Sequence, residues 1–371
     1  MRRALALAER GGGGTAPNPM VGCVLVAADG TVIGEGYHRR AGGPHAEVVA
    51  LEAARAGGHD PAGATAVVTL EPCDAHHRTP PCTVALLEAG VASVVYATSD
   101  PHVGKGGADR LRAGGVRVTG GVLEAEARRL LEPWLHFVAT GRPYFQVKTA
   151  QTLNARVTRG REGEPWITGP EARRLVHRLR RRERAVLVGA GTVLADDPLL
   201  TVRDWPAPEE AAEWPDIQPV RVVLDTRLRT PLDSRVVATT EEAPVWIFAG
   251  EDAPADRERE LVARGVEVVR VATVRSGLDL VAIAEELARR EVPGVLVEPG
   301  PTLATAFLEA GLVGRWTMLL APDWVTERGA LPLLLTDAPY VGFELVDPEW
   351  SIHGRDAAVT GRVRRAMTAG A

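Results

Sequence analysis

The sequence predicts an α/β protein of two domains. At 371 residues the chain is long for one domain and comfortable for two. Short β-branched runs alternate with helical periodicity through both halves, which is the pattern of α/β sheets. Between the halves, a helical segment from Glu124 to Ala139 ends at Thr140-Gly141-Arg142-Pro143, and a new strand starts at Tyr144. This Gly-x-Pro stop divides the chain into domains 1–142 and 143–371.

Composition narrows the class. Apolar residues make up 45% and charged residues 25%, with a net charge of -5. That balance speaks against a general nucleic-acid or membrane-surface binder, which carries a basic excess. No run of about 18 apolar residues is present, so no membrane span is predicted. The start, Met1-Arg2-Arg3-Ala4-Leu5, continues as a helix and lacks a signal-peptide cleavage pattern. Three cysteines are too few for a disulfide framework. The expectation is a cytoplasmic protein. Cys23, within Val21-Gly22-Cys23-Val24-Leu25-Val26, reads as a small core residue.

In the first half, Arg2 to Arg10 reads as a helix stopped by Gly11 to Gly14. Val21 to Ala27 and Thr31 to Tyr37 form a hairpin turning at Asp29-Gly30. A helix from about Pro44 to Ala56 follows, with proline at the favoured first position. Ala66 to Leu70 is a strand, Pro81 to Ala89 a helix, and Ser93 to Thr98 and Val116 to Thr119 are strands. A hairpin leading into alternating elements implies a mixed sheet.

The stretch from Gly43 to Cys82 carries the chemistry. His45-Ala46-Glu47 opens one helix, Glu71-Pro72-Cys73 follows a strand, and Pro80-Pro81-Cys82 opens another helix. His45, Cys73 and Cys82 make three protein ligands, one short of tetrahedral closure, which suits a catalytic zinc rather than a structural one. A mixed nitrogen and sulfur set without carboxylate favours zinc over iron. Both cysteines are placed at or near helix starts, where backbone N–H groups stabilise a thiolate. Glu47 is left free to move protons for the attack of water on an amidine-like carbon. The plain alternative is a surface histidine with two buried thiols. A His-x-Glu element and a later Pro-Cys pair also mark zinc deaminases, although eight residues separate the cysteines here and two separate them in the nucleic-acid enzymes.

In the second half, Tyr144 to Thr149 is joined by runs at Ala185 to Val188, Val220 to Leu224, Val245 to Ala249, Val266 to Val271, Val295 to Val297 and Trp316 to Leu320. These predict a sheet of seven or more strands. No Gly-x-Gly-x-x-Gly fingerprint is present. Two turns after strands could receive phosphate: Gly189-Ala190-Gly191-Thr192, and Glu298-Pro299-Gly300-Pro301-Thr302-Leu303, which opens a helix to about Ala310. Either could equally be plain turn chemistry. Seven arginines lie between Arg173 and Arg184. Most read as a solvated helix face, with one or two available to a phosphate.

These residues resemble a known family. Asn18-Pro19-x-Val21-Gly22, Gly34-Glu35-Gly36-Tyr37-His38, Pro44-His45-Ala46-Glu47 and Glu71-Pro72-Cys73…Arg78-Thr79-Pro80-Pro81-Cys82 are similar to the deaminase half of the bifunctional riboflavin-biosynthesis deaminase/reductases. Trp166-Ile167-Thr168…Ala172-Arg173…His177…Leu179-Arg180, Thr192 to Asp197-Pro198…Leu200-Thr201-Val202-Arg203 and Glu298-x-Gly300-Pro301-Thr302-Leu303-Ala304 resemble its reductase half. The resemblance implies a cytidine-deaminase-like mixed-sheet domain followed by a dihydrofolate-reductase-like α/β domain. It implies zinc on His45, Cys73 and Cys82, with Glu47 as the proton shuttle, and Asn18 and Arg78 on a pyrimidine ribotide. It further implies NADPH bound by Ala150, Trp166, Thr192, Asp196 and Gly300, Pro301, Thr302, Leu303, Ala304, Thr305 and Ala306. Arg180, Leu200, Arg203 and Glu298 are implied to hold substrate, and a homo-oligomer is the family's habit.

The chain departs from the pattern in places. Cys73-Asp74-Ala75-His76-His77-Arg78 stands where the family usually reads Cys-Ser-His, so His76 or His77 could stand in for the missing histidine. Thr152-Leu153-Asn154-Ala155 replaces Ser-Leu-Asp-Gly, and Ala155 is not expected to take the positive φ that glycine tolerates. Glu164 replaces a serine, in a place where an acid would repel a substrate phosphate unless it turned away. The expected function is zinc-dependent deamination of 2,5-diamino-6-ribosylamino-4(3H)-pyrimidinone 5′-phosphate, then NADPH reduction of its ribosyl group to ribityl. The alternatives are a modified-pyrimidine substrate, a silent reductase domain, or a nucleic-acid base deaminase with a C-terminal binding module.

Overall fold

The computed structural model describes all residues except 76–79, 103–105, 159–165, 206–213, 276, 328, 336–341 and 366–371. The chain separates into two compact units. One is Met1–Arg142 with residues 214–217, and the other holds the described residues from Pro143 onward apart from that stretch. No helix among the described residues is long and apolar enough to cross a membrane.

The first unit runs α1 (Arg2–Glu9), β1 (Gly22–Val26), β2 (Val32–Tyr37), α2 (Ala46–Ala56), β3 (Thr65–Leu70), α3 (Cys82–Glu88), β4 (Ser93–Thr98), α4 (Gly107–Ala113), β5 (Arg117–Thr119), α5 (Glu124–Leu130) and α6 (Glu132–Thr140). Its sheet has the order β2-β1-β3-β4-β5. β1 is antiparallel to β2 and β3, whereas β3, β4 and β5 are parallel, so the sheet is mixed as the alternation of elements predicts. Cys23 is fully buried in the core of this sheet. α2 lies so close on β2 that a Cβ at Gly34 would meet the Ala50 carbonyl at 2.3 Å, and one at Gly36 the Ala46 carbonyl at 2.5 Å. Those two glycines let the helix descend onto the strand, and this fixes where its first turn points.

Two local expectations are corrected. Pro44 is not the first helical residue: His45 is the N-cap, with extended backbone (φ -74, ψ 162), and α2 starts at Ala46. The Pro44 carbonyl lies 3.0 Å from His38 Nδ1, which holds the entering chain outside the helix. The segment from Glu124 is two helices meeting at Leu131, because Pro133 has no N–H and fits only in a first turn. α4 is an addition to the elements that the sequence predicts.

The second unit runs β6 (Tyr144–Thr152), α7 (Pro170–Arg182), β7 (Ala185–Gly189), α8 (Ala190–Asp196), β8 (Val220–Leu224), α9 (Arg235–Ala238), β9 (Val245–Gly250), α10 (Ala255–Val262), β10 (Glu267–Val271), β11 (Thr273–Val274), β12 (Gly277–Leu278), α11 (Leu280–Arg289), β13 (Gly294–Val297), α12 (Pro301–Glu309), β14 (Val313–Ala321), β15 (Phe343–His353) and β16 (Asp356–Arg365). The large sheet has the order β10-β9-β8-β7-β13-β6-β14-β16-β15. All pairings from β10 to β14 are parallel, and β16 and β15 continue antiparallel. After β6 the chain steps over the place of β13 to form β7, runs outward to β10, and returns to fill the gap with β13. This reversal leaves the carboxyl ends of β7, β13 and β6 side by side, where open α/β sheets receive ligands.

The arginine-rich helix α7 is not a solvated face. Of its six arginines only Arg174 is exposed, and Arg180 and Arg181 are buried. The Arg173 guanidinium lies 5.0 Å over the Trp166 ring and that of Arg178 5.4 Å over Trp205. Guanidinium planes that stack on indole and pair with buried acids can leave water, and this is why counting charge along the helix misreads it.

Candidate metal centre and reductase crevice

His45 enters from the cap of α2, Cys82 from the first residue of α3, and Cys73 from the loop after β3. His45 Nδ1 lies 3.2 Å from Cys82 Sγ and 3.5 Å from Cys73 Sγ. The three ligand atoms are mutually within 4.8 Å. Tetrahedral zinc with N and S ligands has an N···S edge of about 3.5 Å. The donor set, three ligands among the described residues, therefore fits zinc in both chemistry and spacing.

Cys73 does not sit at a helix start, contrary to the reading of its sequence. The helix start of α3 reaches it instead: the Cys82 backbone N–H donates to Cys73 Sγ over 3.4 Å. A hydrogen bond from the Cys82 thiol, opposed by burial and helped by His45, pulls the Cys73 thiol well below the ordinary thiol range. The neighbouring Cys73 sulfur pushes Cys82 up in turn, and burial adds to it. His45 is raised, chiefly by its hydrogen bond to Cys73. The pair thus favours the thiolate at Cys73 over that at Cys82, and a bound cation would favour both.

Glu47 is 3% exposed and lies in the first turn of α2. Burial, followed by the Cys73 charge, raises its carboxyl above the usual range. Asn18 Nδ2 lies 3.1 Å from His38 Nε2, and the His38 ring meets that of His45 edge-on at 5.4 Å. A chain Asn18–His38–Pro44 carbonyl therefore runs along the entry to α2. The sequence gives His38 no role beyond its place directly after β2. Arg78, His76 and His77 lie outside the described residues.

In the second unit several of the expected reductase residues lie at or after the carboxyl ends of β6, β7 and β13. Ala150 is near the end of β6, and Thr192 and Asp196 lie on α8, which starts straight after β7. A Cβ at Gly300, the cap of α12, would stand 3.9 Å from Thr192 Oγ1, so the starts of α8 and α12 adjoin. Trp166 is 59% exposed beside α7. Along α12, Pro301, Thr302, Leu303 and Ala306 are open to solvent to some degree. Ala304 belongs to the core, and the Thr305 hydroxyl is committed to the Pro301 carbonyl and the Leu335 N–H. Leu200 is buried at φ 59, which leaves its backbone rather than its side chain for a ligand.

Glu298, directly after β13, is paired with two cations. Arg180 Nε and Nη2 reach its two oxygens at 2.5 and 3.1 Å, and Lys148 Nζ at 3.1 Å. Arg180 also donates to the Thr201 carbonyl over 3.0 Å. Burial alone would raise Glu298, but Arg180 and Lys148 outweigh it and hold the carboxyl far below its usual range. Sequence reasoning overlooked Lys148, whose signal was a lone lysine within a buried strand. Arg203 is exposed and donates to Thr201 Oγ1, and its backbone N–H donates to His177 Nδ1 over 3.3 Å.

Two departures in this unit resolve on inspection. Ala155 does take a positive φ, of 55°, against expectation. Its N–H donates to the Thr152 carbonyl and its own carbonyl accepts from Leu333, which hold it there. Asn154 accepts from the Val325 N–H and donates to the Val325 carbonyl over 2.7 Å. A carboxylate could make only the first of these bonds. Glu164 lies outside the described residues.

Comparison with known proteins agrees with both halves. Residues 1–98 match the cytidine and deoxycytidylate deaminase zinc-binding region, and residues 143–332 match the RibD C-terminal domain. The chain is 42% identical to the riboflavin biosynthesis protein RibD of Escherichia coli over 95% of its length and 97% of that protein. The chain belongs to the RibD family. Among solved structures, RibD of Acinetobacter baumannii superposes with a TM-score of 0.79 at 36% identity, covering 98% of both chains. A Thermotoga maritima diaminohydroxyphosphoribosylaminopyrimidine deaminase/5-amino-6-(5-phosphoribosylamino)uracil reductase gives 0.80 at 36% identity, covering 99% of this chain and 97% of that one. Family membership makes this chain a bifunctional deaminase/reductase of riboflavin biosynthesis that acts on a small molecule with zinc and NADPH. The second half is thereby a reductase domain and not a nucleic-acid binding module.

Proposed function

We propose that domain 1–142 deaminates 2,5-diamino-6-ribosylamino-4(3H)-pyrimidinone 5′-phosphate, and that domain 143–371 then reduces the ribosyl group of the product. The observation that carries the first step is the convergence of His45, Cys73 and Cys82 beside the buried carboxyl of Glu47. Zinc, when bound there, supplies a Lewis acid that makes water nucleophilic at neutral pH. Glu47 carries one proton of the attacking water to the ring nitrogen and the second, from the added hydroxyl, to the departing amine, so that the exocyclic C–N bond breaks, the carbonyl forms and ammonia leaves. Asn18 and Arg78 hold the ribotide.

In the second domain NADPH supplies the hydride. Ala150, Trp166, Thr192, Asp196 and the segment from Gly300 to Ala306 would hold it. Arg180, Arg203, Glu298 and the Leu200 backbone hold the substrate, with arginine suited to phosphate oxygens. That hydride would reduce the anomeric carbon as the ring C–O bond opens, with the freed oxygen taking a proton. No nucleic acid or membrane takes part, and the site of action is the cytoplasm.

Metal analysis tests the zinc centre. The purified full chain is expected to carry one zinc per chain, and Cys82→Ser is expected to lose both the zinc and deamination. A Cys82→Ser protein that keeps zinc and rate would overturn the ligand assignment.

A further inference from the structure

We infer that Asp74, Thr83 and Arg110 are positioning residues that set the separation of the two cysteine ligands before the metal arrives. Each of the first two directly follows a ligand in sequence. Thr83 Oγ1 donates to Asp74 Oδ1 over 2.6 Å, which ties the residue after Cys82 to the residue after Cys73. The backbone repeats the tie, because the Thr83 N–H donates to the Cys73 carbonyl over 3.2 Å. Thr83 is fully buried, so its hydroxyl has no water to turn to. Arg110 Nε stands 3.1 Å from the same Asp74 oxygen and fixes the acceptor from the other side.

Arg110 belongs to α4, and the start of this helix is seated on the segment that leads into Cys73. The Ala108 N–H donates to Glu71 Oε1 over 2.9 Å. A Cβ at Gly107 would fall 1.8 Å from the Pro72 carbonyl oxygen, so only glycine permits the approach. Glu71, Pro72 and Asp74 are thus each held by α4, and Cys73 lies between them. Cys73 has no helix of its own to place it, and the loop joining it to Cys82 spans eight residues. Without these ties the two sulfurs would have to be ordered by the metal, at the cost of its affinity.

The test is zinc affinity of the full chain, measured by competition with a chromophoric chelator, alongside the melting temperature of the zinc-free protein. Thr83→Val keeps the size of the side chain and removes the donor; it is expected to weaken zinc by roughly 10–100-fold, while Thr83→Ser stays close to the parent. Asp74→Ala, at a partly exposed position, reads the same tie if the valine variant does not fold, and it is expected to fall in the same range. A lowered melting temperature with unchanged zinc affinity in either variant would make the contact merely structural and overturn the inference. The inference rests on the zinc reading above. A parent protein without zinc defeats that reading, whereas a zinc-loaded parent with unaltered Thr83→Val affinity defeats this one alone.

Discussion

Glu47→Gln is expected to retain zinc and to lose deamination by about 10²–10⁴-fold, the usual contribution of a positioned proton shuttle. Glutamine preserves the shape of a side chain that is 3% exposed and packed in the first turn of α2. It cannot take a proton from water and return it to an amine. The three ligand atoms are untouched, so metal content and melting temperature should match the parent. Metal analysis with an ammonia-release assay on the same preparation checks this, and a glutamine variant at parental rate would remove Glu47 from the mechanism.

The second large effect is on stability. Glu298→Gln leaves Arg180 and Lys148, 10% and 14% exposed, without their counter-charge. Breaking a buried pair by removing one partner costs about 3–5 kcal/mol, since the remaining charge stays out of water. Denaturant unfolding of the second unit should show a loss of that order, with NADPH oxidation falling as well. An exposed pair such as Arg364–Glu344 is the control: Glu344→Gln should cost about 0–1 kcal/mol. A Glu298→Gln protein as stable as that control would mean that Arg180 and Lys148 are better solvated than their burial indicates. The sign with pH follows from the depressed carboxyl. The unfolded chain takes up the proton of this acid near pH 4.3, before the folded protein does. The stabilisation from the pair is therefore whole above that pH and fades as the medium is acidified further.

Much of this molecule was legible because residue type and spacing are local. The β-branched runs at Ala185, Val220, Val245 and Val295 became central parallel strands, since burial on both faces demands continuous apolar residues. The metal centre was legible for the same reason: few roles besides zinc ligation need a histidine and two cysteines behind prolines at strand and helix ends. The hairpin β15–β16 was not, because Trp350 and Ile352 are 67% and 76% exposed on the outermost strand and no alternation marks its face. α4 was hidden as well. It is seven residues long, is capped by Gly106 at φ 93, and owes its place to the side chain of Glu71, far away in sequence. Ala155 shows the reverse error, in which a sound local rule yields to tertiary hydrogen bonds that hold an alanine at positive φ.

The central claim is that one chain performs two successive reactions on one pyrimidine ribotide. Incubating the purified protein with 2,5-diamino-6-ribosylamino-4(3H)-pyrimidinone 5′-phosphate, with and without NADPH, and weighing the products tests it directly. Without NADPH the product should have its 2-amino group replaced by oxygen and should keep an intact ribosyl ring. With NADPH it should also have gained two hydrogens, with one NADPH oxidised for each molecule formed. Deamination with no NADPH consumed would contradict the second activity, and an unchanged ribotide in both tubes would contradict the whole account.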